Sequence, residues 1–197
     1  MRLQAIAQNG LAFAQSPFDT ERYQAVRQIA AEMMATGSDT AVQPVLDLFA
    51  AETGYATPKV DVRGVVFRDD ALLLVRERAD NRWTLPGGWA DVGDSPAESV
   101  VREIYEESGF ETRAVKLLAV YDRSRHSHVP PQPRHVYKMF FLCQLTGGVA
   151  TTSVETGEVE FFPEHAIPEL SIGRVTPSQI ERMFAHYRHS DWPADFD

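Results

Sequence analysis

Apolar residues recur at helical spacing in the first part of the chain and at strand spacing immediately after it. Three helices are predicted first: one over 3–13 that breaks near Asn9-Gly10, one that Asp19 or Thr20 caps and Gly37 ends, and one over 43–52. Glycine and proline within 53–58 then interrupt the helical pattern. The sequence therefore predicts an N-terminal helical extension over 1–56 and a second domain over 57–197.

The second domain alternates strand and helix patterns. Strands are predicted over 60–67 and 72–75, joined by a turn at Asp69-Asp70, and again over 114–121, 136–145 and 159–162. Helical patterns cover 96–108 and a closing segment that Thr176 or Ser178 opens. This order predicts an α/β fold in which a mixed sheet lies between helices, preceded by the small helical domain.

Composition narrows the function classes. A chain of 197 residues has room for one domain with an appendage, and its net charge of −9 argues against a general nucleic-acid or membrane-surface binder. Cys143 is the single cysteine and no apolar run suits a signal peptide or membrane span, so a cytoplasmic location is expected.

The three N-terminal helices bury little apolar surface alone. This favours a homodimer contact through these helices, with an intramolecular cap on the rest of the chain as the alternative.

A glycine-rich loop at 87–94 leads into the helix predicted over 96–108. Ser95 and Glu98 form a capping box, Pro96 takes the first helical position and Gly109 ends the helix. Three glutamates cluster near the unfavourable, negative end of this helix: Glu103, Glu106 and Glu107. Because these carboxylates repel one another and the negative end of the helix, we expect a cation to compensate them, either Arg102 or a hard divalent ion such as Mg²⁺. The alternative is an acidic helix face that is simply solvated.

This stretch resembles the Nudix box, G-x5-E-x7-R-E-U-x-E-E-x-G-U, in which U is apolar. Gly88 takes the first glycine, Arg102-Glu103-Ile104 the R-E-U, Glu106-Glu107 the paired acids and Gly109-Phe110 the end. One position departs from the pattern, because Asp94 stands where the family usually has Glu. In the family this acid helps to hold the box arginine, so we expect a minor effect on geometry.

The resemblance implies a Nudix α/β/α sandwich for about 57–197 and hydrolysis of a nucleoside diphosphate linked to another moiety X. The products are a nucleoside monophosphate and phosphorylated X. It assigns Glu103, Glu106, Glu107 and the backbone carbonyl of Gly87 as ligands of Mg²⁺, with Mn²⁺ as a substitute, and gives Arg102 the task of holding the acids. The N-terminal helices resemble those of a bacterial Nudix subgroup that includes a CDP-choline pyrophosphatase, so CDP-choline and ADP-ribose are the leading substrates.

Other candidate site residues follow from position along the chain. Glu155 and Glu158 precede a strand approximately where some Nudix enzymes carry the general base, although a box glutamate is the alternative. Arg76 and Arg78 end a strand near the glycine loop and are candidates to bind phosphate. Trp89, inside the loop, is a candidate substrate contact. For each of these residues an ordinary surface role stays open.

Two other functions remain as alternatives. The first is hydrolysis at an RNA 5′ end or removal of terminal nucleotides from RNA. The segment 123–135 supplies arginine, histidine and local positive charge for it, whereas the acidic overall balance argues against it. A zinc site in that segment fits no common spacing, and a mobile loop facing substrate or a second subunit is preferred. The second is a non-catalytic Nudix domain that serves as a ligand sensor; the three retained glutamates argue against it.

Overall fold

The computed structural model describes residues 1–38, 40–130 and 132–197. The described chain forms two compact units, one of residues 1–58 with 132–135 and the other of 59–130 with 136–197. No helix among the described residues is both long enough and apolar enough to cross a membrane. The helices are α1 Arg2–Phe13, α2 Pro17–Ser38, α3 Val42–Ala51, α4 Pro96–Ser108 and α5 Pro177–Arg188. The strands are β1 Lys59–Arg68, β2 Ala71–Glu77, β3 Trp83–Thr84, β4 Phe110–Asp122, β5 Val136–Gly148, β6 Thr156–Pro163 and β7 Asp195–Phe196.

The first unit is helical, as predicted, but α1 does not break at Asn9-Gly10. Gly10 lies inside the helix, at a position where only glycine allows α1 to approach α2 this closely. A Cβ there would lie 2.3 Å from the ring of Tyr23 on α2. Asn9 uses its side-chain oxygen to accept a hydrogen bond from the Ala56 backbone N–H at 2.6 Å. The Asn-Gly pair therefore serves close helix packing and a chain contact rather than a turn.

The second helix begins earlier than predicted, at Pro17, and runs through Gly37 to Ser38. Proline suits the first helical turn, where its missing N–H costs nothing, and the N–H of Phe18 instead bonds to the Ser16 hydroxyl at 3.2 Å. A small core joins α2 to α3, made of Ala30, Ala31, Ala35, Val45 and Phe49.

The second unit is built on a mixed seven-stranded sheet in the order β3-β2-β1-β5-β4-β7, with β6 paired to β2. Strand β1 runs parallel to β5 and β4 runs parallel to β7, whereas the other pairs are antiparallel. The β1–β2 hairpin turns at Asp69-Asp70 as predicted, with both residues at positive φ. Strand β7 is too short to show an alternation of apolar and polar residues in the sequence, and it was not predicted.

Helices cover opposite faces of this sheet. Val66 and Leu73 face α4, where they pack with Val100 and Ile104. Their neighbours in sequence face the other way and pack with α5 through Val65, Leu72, Leu74, Ile180, Met183 and Phe184. Because successive strand residues point to opposite faces, the continuous apolar residues 65–67 of β1 and 72–75 of β2 indicate strand segments buried on both sides. The predicted layering of helix, sheet and helix is confirmed for this unit.

Candidate active site

Helix α4 has the ends that the sequence predicts. The Ser95 hydroxyl accepts the Glu98 N–H and the Glu98 carboxylate accepts the Ser95 N–H, which completes the capping box. Gly109 ends the helix in a left-handed conformation. Val100 and Ile104 are fully buried, whereas Tyr105, next to Ile104 in sequence, is mostly exposed. The buried face instead turns toward Glu107 and Ser108, which places one glutamate under the glycine loop.

Arg102 ties four acids together along the exposed side of α4. Its guanidinium contacts Glu103 at 2.9 Å and Glu106 at 3.1 Å on the helix, and Asp91 at 3.0 Å and Asp94 at 3.3 Å on the loop before it. One cation thus joins the loop to the helix and offsets repulsion among neighbouring carboxylates. Asp94, the position that departs from the box pattern, still reaches the arginine.

Backbone hydrogen bonds fasten the glycine loop to strand β1. The Val62 N–H donates to Gly88 O and the Gly64 N–H donates to Pro86 O, both at 2.8 Å, while the Ala90 N–H donates to Val60 O at 3.0 Å. The loop therefore lies alongside β1 and is hydrogen-bonded to its backbone as a neighbouring strand would be. Its position is fixed by the sheet, not by loop residues alone.

Two of the three box glutamates lie against this loop. The Gly87 N–H donates to Glu107 Oε2 at 2.8 Å, and Glu103 Oε2 lies so near Gly88 that a Cβ there would be 2.7 Å from it. Burial raises the pKa of the Glu107 carboxyl to about 8, against the opposing effects of Arg63 and of the Gly87 N–H. Burial also raises the pKa of Glu103, against the attraction of Arg102. Glu106 is largely exposed and its carboxylate points to Arg102.

These positions fit a hard divalent cation in their chemistry. Among the described residues, no group of three or more His, Cys, Asp or Glu side chains is arranged to hold a metal ion. However, Glu107 is a carboxylate only 6% exposed, and a buried anion is costly unless a cation compensates it. Mg²⁺ needs only one or two carboxylates, since waters and substrate phosphates complete its shell. Glu103 and Glu107 beside the Gly87-Gly88 backbone supply such a donor set.

The candidate bases on β6 and the loop before it differ in their contacts. Glu158 is paired with Arg76 at 2.5 Å, so the structure joins two predicted site residues to each other. Glu155 precedes Thr156, whose hydroxyl donates to Glu107 O at 2.7 Å. That hydrogen bond ties the loop carrying Glu155 to the end of α4, and the Glu155 carboxylate interacts electrostatically with Glu77.

Arg78 and Trp89 are the remaining predicted substrate contacts. Arg78 donates from Nε to Ser153 O at 3.2 Å and from its backbone N–H to Glu155 O at 2.9 Å. Trp89 lies opposite Asp61 in an isolated antiparallel bridge and is 45% exposed. Trp89 is therefore partly accessible at the surface of the glycine loop. Trp83, in β3, is buried.

Comparison with known proteins agrees with this architecture. A model described as NUDIX domain matches residues 57–183, and one described as UDP-X-like, N-terminal oligomerisation domain matches residues 1–49. A Bacillus subtilis (strain 168) protein provisionally named ADP-ribose pyrophosphatase YjhB is 50% identical over 196 residues, which cover 100% of this chain and 94% of that protein. The chain belongs to the Nudix hydrolase family.

Two crystal structures extend the likeness of this Nudix hydrolase to the fold. An ADP-ribose pyrophosphatase from Streptococcus suis 89-1591 is 38% identical, with a TM-score of 0.65 over 72% of this chain and 100% of that one. A UDP-X diphosphatase is 35% identical, with a TM-score of 0.66 over 100% of this chain and 95% of that one. The second structure spans both units of the present chain.

Sequence reasoning missed a buried charge cluster in this Nudix domain. Asp61, Arg63 and Lys138 are nearly inaccessible, and Glu77 is buried in a 2.8 Å ion pair with Arg174. Arg63 interacts electrostatically with both Glu77 and Glu107. The one signal in the sequence is that charged residues interrupt the apolar run of β1, because charges are rarely buried unless they are paired.

Proposed function

We propose that this Nudix hydrolase uses Mg²⁺ to cleave the pyrophosphate bond of a nucleoside diphosphate linked to another moiety, with ADP-ribose as the preferred substrate. The products are then AMP and ribose 5-phosphate. A UDP-linked substrate is the second candidate, favoured by the UDP-X diphosphatase likeness over the whole chain. CDP-choline has less support, because none of the compared proteins described above carries that name.

One observation carries the proposal: Glu103 and Glu107 meet the Gly87-Gly88 backbone at one place in a chain that is 50% identical to a protein provisionally named as an ADP-ribose pyrophosphatase. In the proposal Glu103, Glu107 and the Gly87 carbonyl bind the cation, and Glu106 joins them when Arg102 releases it. Mn²⁺ takes the same oxygen ligands and is expected to substitute.

In the proposed cleavage of the pyrophosphate bond, the cation and the protein side chains have different roles. When bound, Mg²⁺ neutralises charge on the diphosphate oxygens and lowers the pKa of a coordinated water. Arg102 holds the acidic side chains in place through its four contacts.

We assign Glu155 as the general base rather than Glu158. The loop that carries Glu155 is hydrogen-bonded to the last turn of α4 at Glu107, whereas the Glu158 carboxylate is paired with Arg76. Arg78, whose backbone N–H donates to Glu155 O, is proposed to contact phosphate, and Trp89, which is partly exposed within the glycine loop, is proposed to contact the nucleoside.

A substrate panel tests the proposed activity. Steady-state rates with Mg²⁺ should give a kcat/KM for ADP-ribose that exceeds those for UDP-sugars, CDP-choline and NADH by about tenfold or more, equivalent to about 1.4 kcal/mol. EDTA should remove the activity and Mn²⁺ should restore it. A preference for UDP-sugars would move the assignment to the second candidate. Turnover of a labelled RNA oligonucleotide alone would favour the RNA alternative, and binding of these ligands without turnover would favour the sensor.

We also propose that the first unit forms a homodimer contact. Large apolar side chains on α1 and α2 are each at least half exposed: Ile6, Phe13, Phe18, Ile29 and Met33. Such a concentration of exposed apolar side chains is unusual unless a partner covers them, and the model matching 1–49 is described as an oligomerisation domain. A second copy of this chain is the proposed partner.

Replacing Ile29 and Met33 by glutamate should convert the dimer to a monomer. The two residues lie four apart on α2, so they share one helical face that would place charge inside the contact. Light scattering after size exclusion measures the mass, with Gln24→Glu as a control that adds negative charge at an exposed polar position of the helix. A monomeric wild type, or a double variant that stays dimeric, would contradict the proposal.

The cytoplasmic location is retained as part of this proposal. It is supported by Cys143 being the single cysteine in the sequence. That thiol is buried, and burial raises its pKa to about 12, so it is unreactive in the folded chain.

A further inference from the structure

Asp61 on β1 is held by two buried cations. The Arg63 guanidinium binds it through Nε and Nη2, each at 2.8 Å, and Lys138 Nζ binds it at 2.6 Å from the facing position of β5. All three side chains are more than nine-tenths buried. Two positive charges thus meet one carboxylate, so these three side chains together carry one net positive charge.

Arg63 and Lys138 differ in what else they reach. The third guanidinium nitrogen of Arg63, Nη1, donates to Leu85 O at 3.1 Å, two residues before Gly87. Arg63 also attracts the Glu107 carboxylate, and this attraction is the main effect that opposes the rise in the Glu107 pKa caused by burial. Lys138 Nζ donates to Asp61 Oδ1.

Arg63 is therefore connected to Glu107 in two ways. Through Leu85 O it holds the segment whose Gly87 N–H donates to Glu107 Oε2, and through charge it attracts the same carboxylate directly. The β1 backbone on either side of Arg63 fastens that segment as well, at Val62 and Gly64. Asp61 in turn fixes the guanidinium, because a bidentate pair holds its plane in one orientation.

We propose that Arg63, oriented by Asp61, is a positioning residue that sets the glycine loop and the Glu107 carboxylate for divalent cation binding. This inference rests on the proposed function, since it concerns the same cation site. Lysine cannot reproduce the role, because a single ammonium group cannot hold both the Asp61 carboxylate and Leu85 O in the planar fork of a guanidinium. The buried charge of Lys138 has a structural task only.

The test compares Arg63→Lys and Arg63→Met with Lys138→Met. Mn²⁺ binding is measured by the electron paramagnetic resonance signal of free Mn²⁺, with and without AMP, alongside kcat, KM and thermal unfolding of the full chain. Loss of a group that orients a metal ligand typically costs about 10- to 100-fold in metal affinity or activity. We expect losses of that size in Mn²⁺ affinity and in kcat for Arg63→Lys, with little change in KM for the nucleotide.

Lys138→Met is the matched control, since it removes an equally buried cation from the same carboxylate without touching Leu85. It should lower the unfolding temperature but leave Mn²⁺ affinity within about twofold of wild type. Wild-type Mn²⁺ affinity and kcat in Arg63→Lys, or equal losses in Lys138→Met, would overturn the positioning role. If Arg63→Met does not fold, Arg63→Lys alone decides. A wild type that neither binds Mn²⁺ nor hydrolyses any nucleotide would instead overturn the proposed function, and this inference with it.

Discussion

Glu107→Gln should lower kcat by about three orders of magnitude while the fold is retained. A cation ligand contributes several kcal/mol of transition-state stabilisation, and each 1.4 kcal/mol is a factor of ten in rate. The amide oxygen of Gln can still accept the Gly87 N–H that now bonds to Glu107 Oε2, so the loop keeps its anchor. The variant therefore removes charge at the site with little change in shape.

Thermal unfolding in EDTA separates this effect from misfolding. An uncompensated buried carboxylate opposes folding, so the midpoint of Glu107→Gln should equal or exceed that of the metal-free wild type. Glu181→Gln, at an exposed position of α5, is the control for loss of one glutamate and should retain full turnover. Unchanged turnover in Glu107→Gln would reject the assignment of this residue to the cation site.

The parts of this site that lie close together in sequence could be predicted from it. The capping box at Ser95 and Glu98 and the stop at Gly109 are local hydrogen-bonding motifs, and both ends of α4 agree with the structure. The β1–β2 hairpin was predictable for the same reason, since its turn joins adjacent strands. Local backbone chemistry thus positions the helix that carries the box glutamates.

Contacts between distant segments could not be predicted in this way. Lys138 reaches Asp61 across 77 residues of sequence, and only the parallel pairing of β1 with β5 brings them together. The pairing of Glu158 with Arg76 likewise depends on the register of β6 against β2. Sequence periodicity gives the direction in which a side chain points, but not which strand lies beside it.

The Asn9-Gly10 prediction failed because a local turn preference was outweighed by the tertiary contact of Gly10 with Tyr23.

The orientation of the three glutamates also depends on tertiary structure. Helical spacing groups Glu103, Glu106 and Glu107 on one side of α4, yet the structure directs Glu106 to Arg102 and places the other two against the glycine loop. The difference arises because the loop is attached to β1, which covers one edge of the helix and leaves the other in solvent. The sheet therefore decides which acids are buried, and the helix decides only that they are neighbours.

Gly87→Ala should destabilise the protein and inactivate it together, because the same backbone contact supports both properties. Gly87 has φ of +138°, a conformation that L side chains rarely adopt, and a Cβ there would lie 2.1 Å from the backbone oxygen of Val62. Backbone strain of this kind costs about 1–3 kcal/mol. The collision adds to it, since the oxygen belongs to a buried strand that cannot move aside. We expect the unfolding midpoint to fall by about 10 °C, as 1 kcal/mol shifts a domain of this size by about 2–4 °C.

Gly93→Ala separates strain from collision within the same loop. Gly93 also has a positive φ, +107°, but nothing lies within 4 Å of the position its Cβ would take. This variant should lose only the strain component of stability and keep most of its turnover. In Gly87→Ala the loop must move away from β1, which carries the Gly87 N–H away from Glu107, so kcat should fall by at least the 10- to 100-fold expected when a metal ligand loses its orienting partner. Equal effects of the two substitutions would mean that the approach of Gly87 to Val62 is not what holds the loop against Glu107.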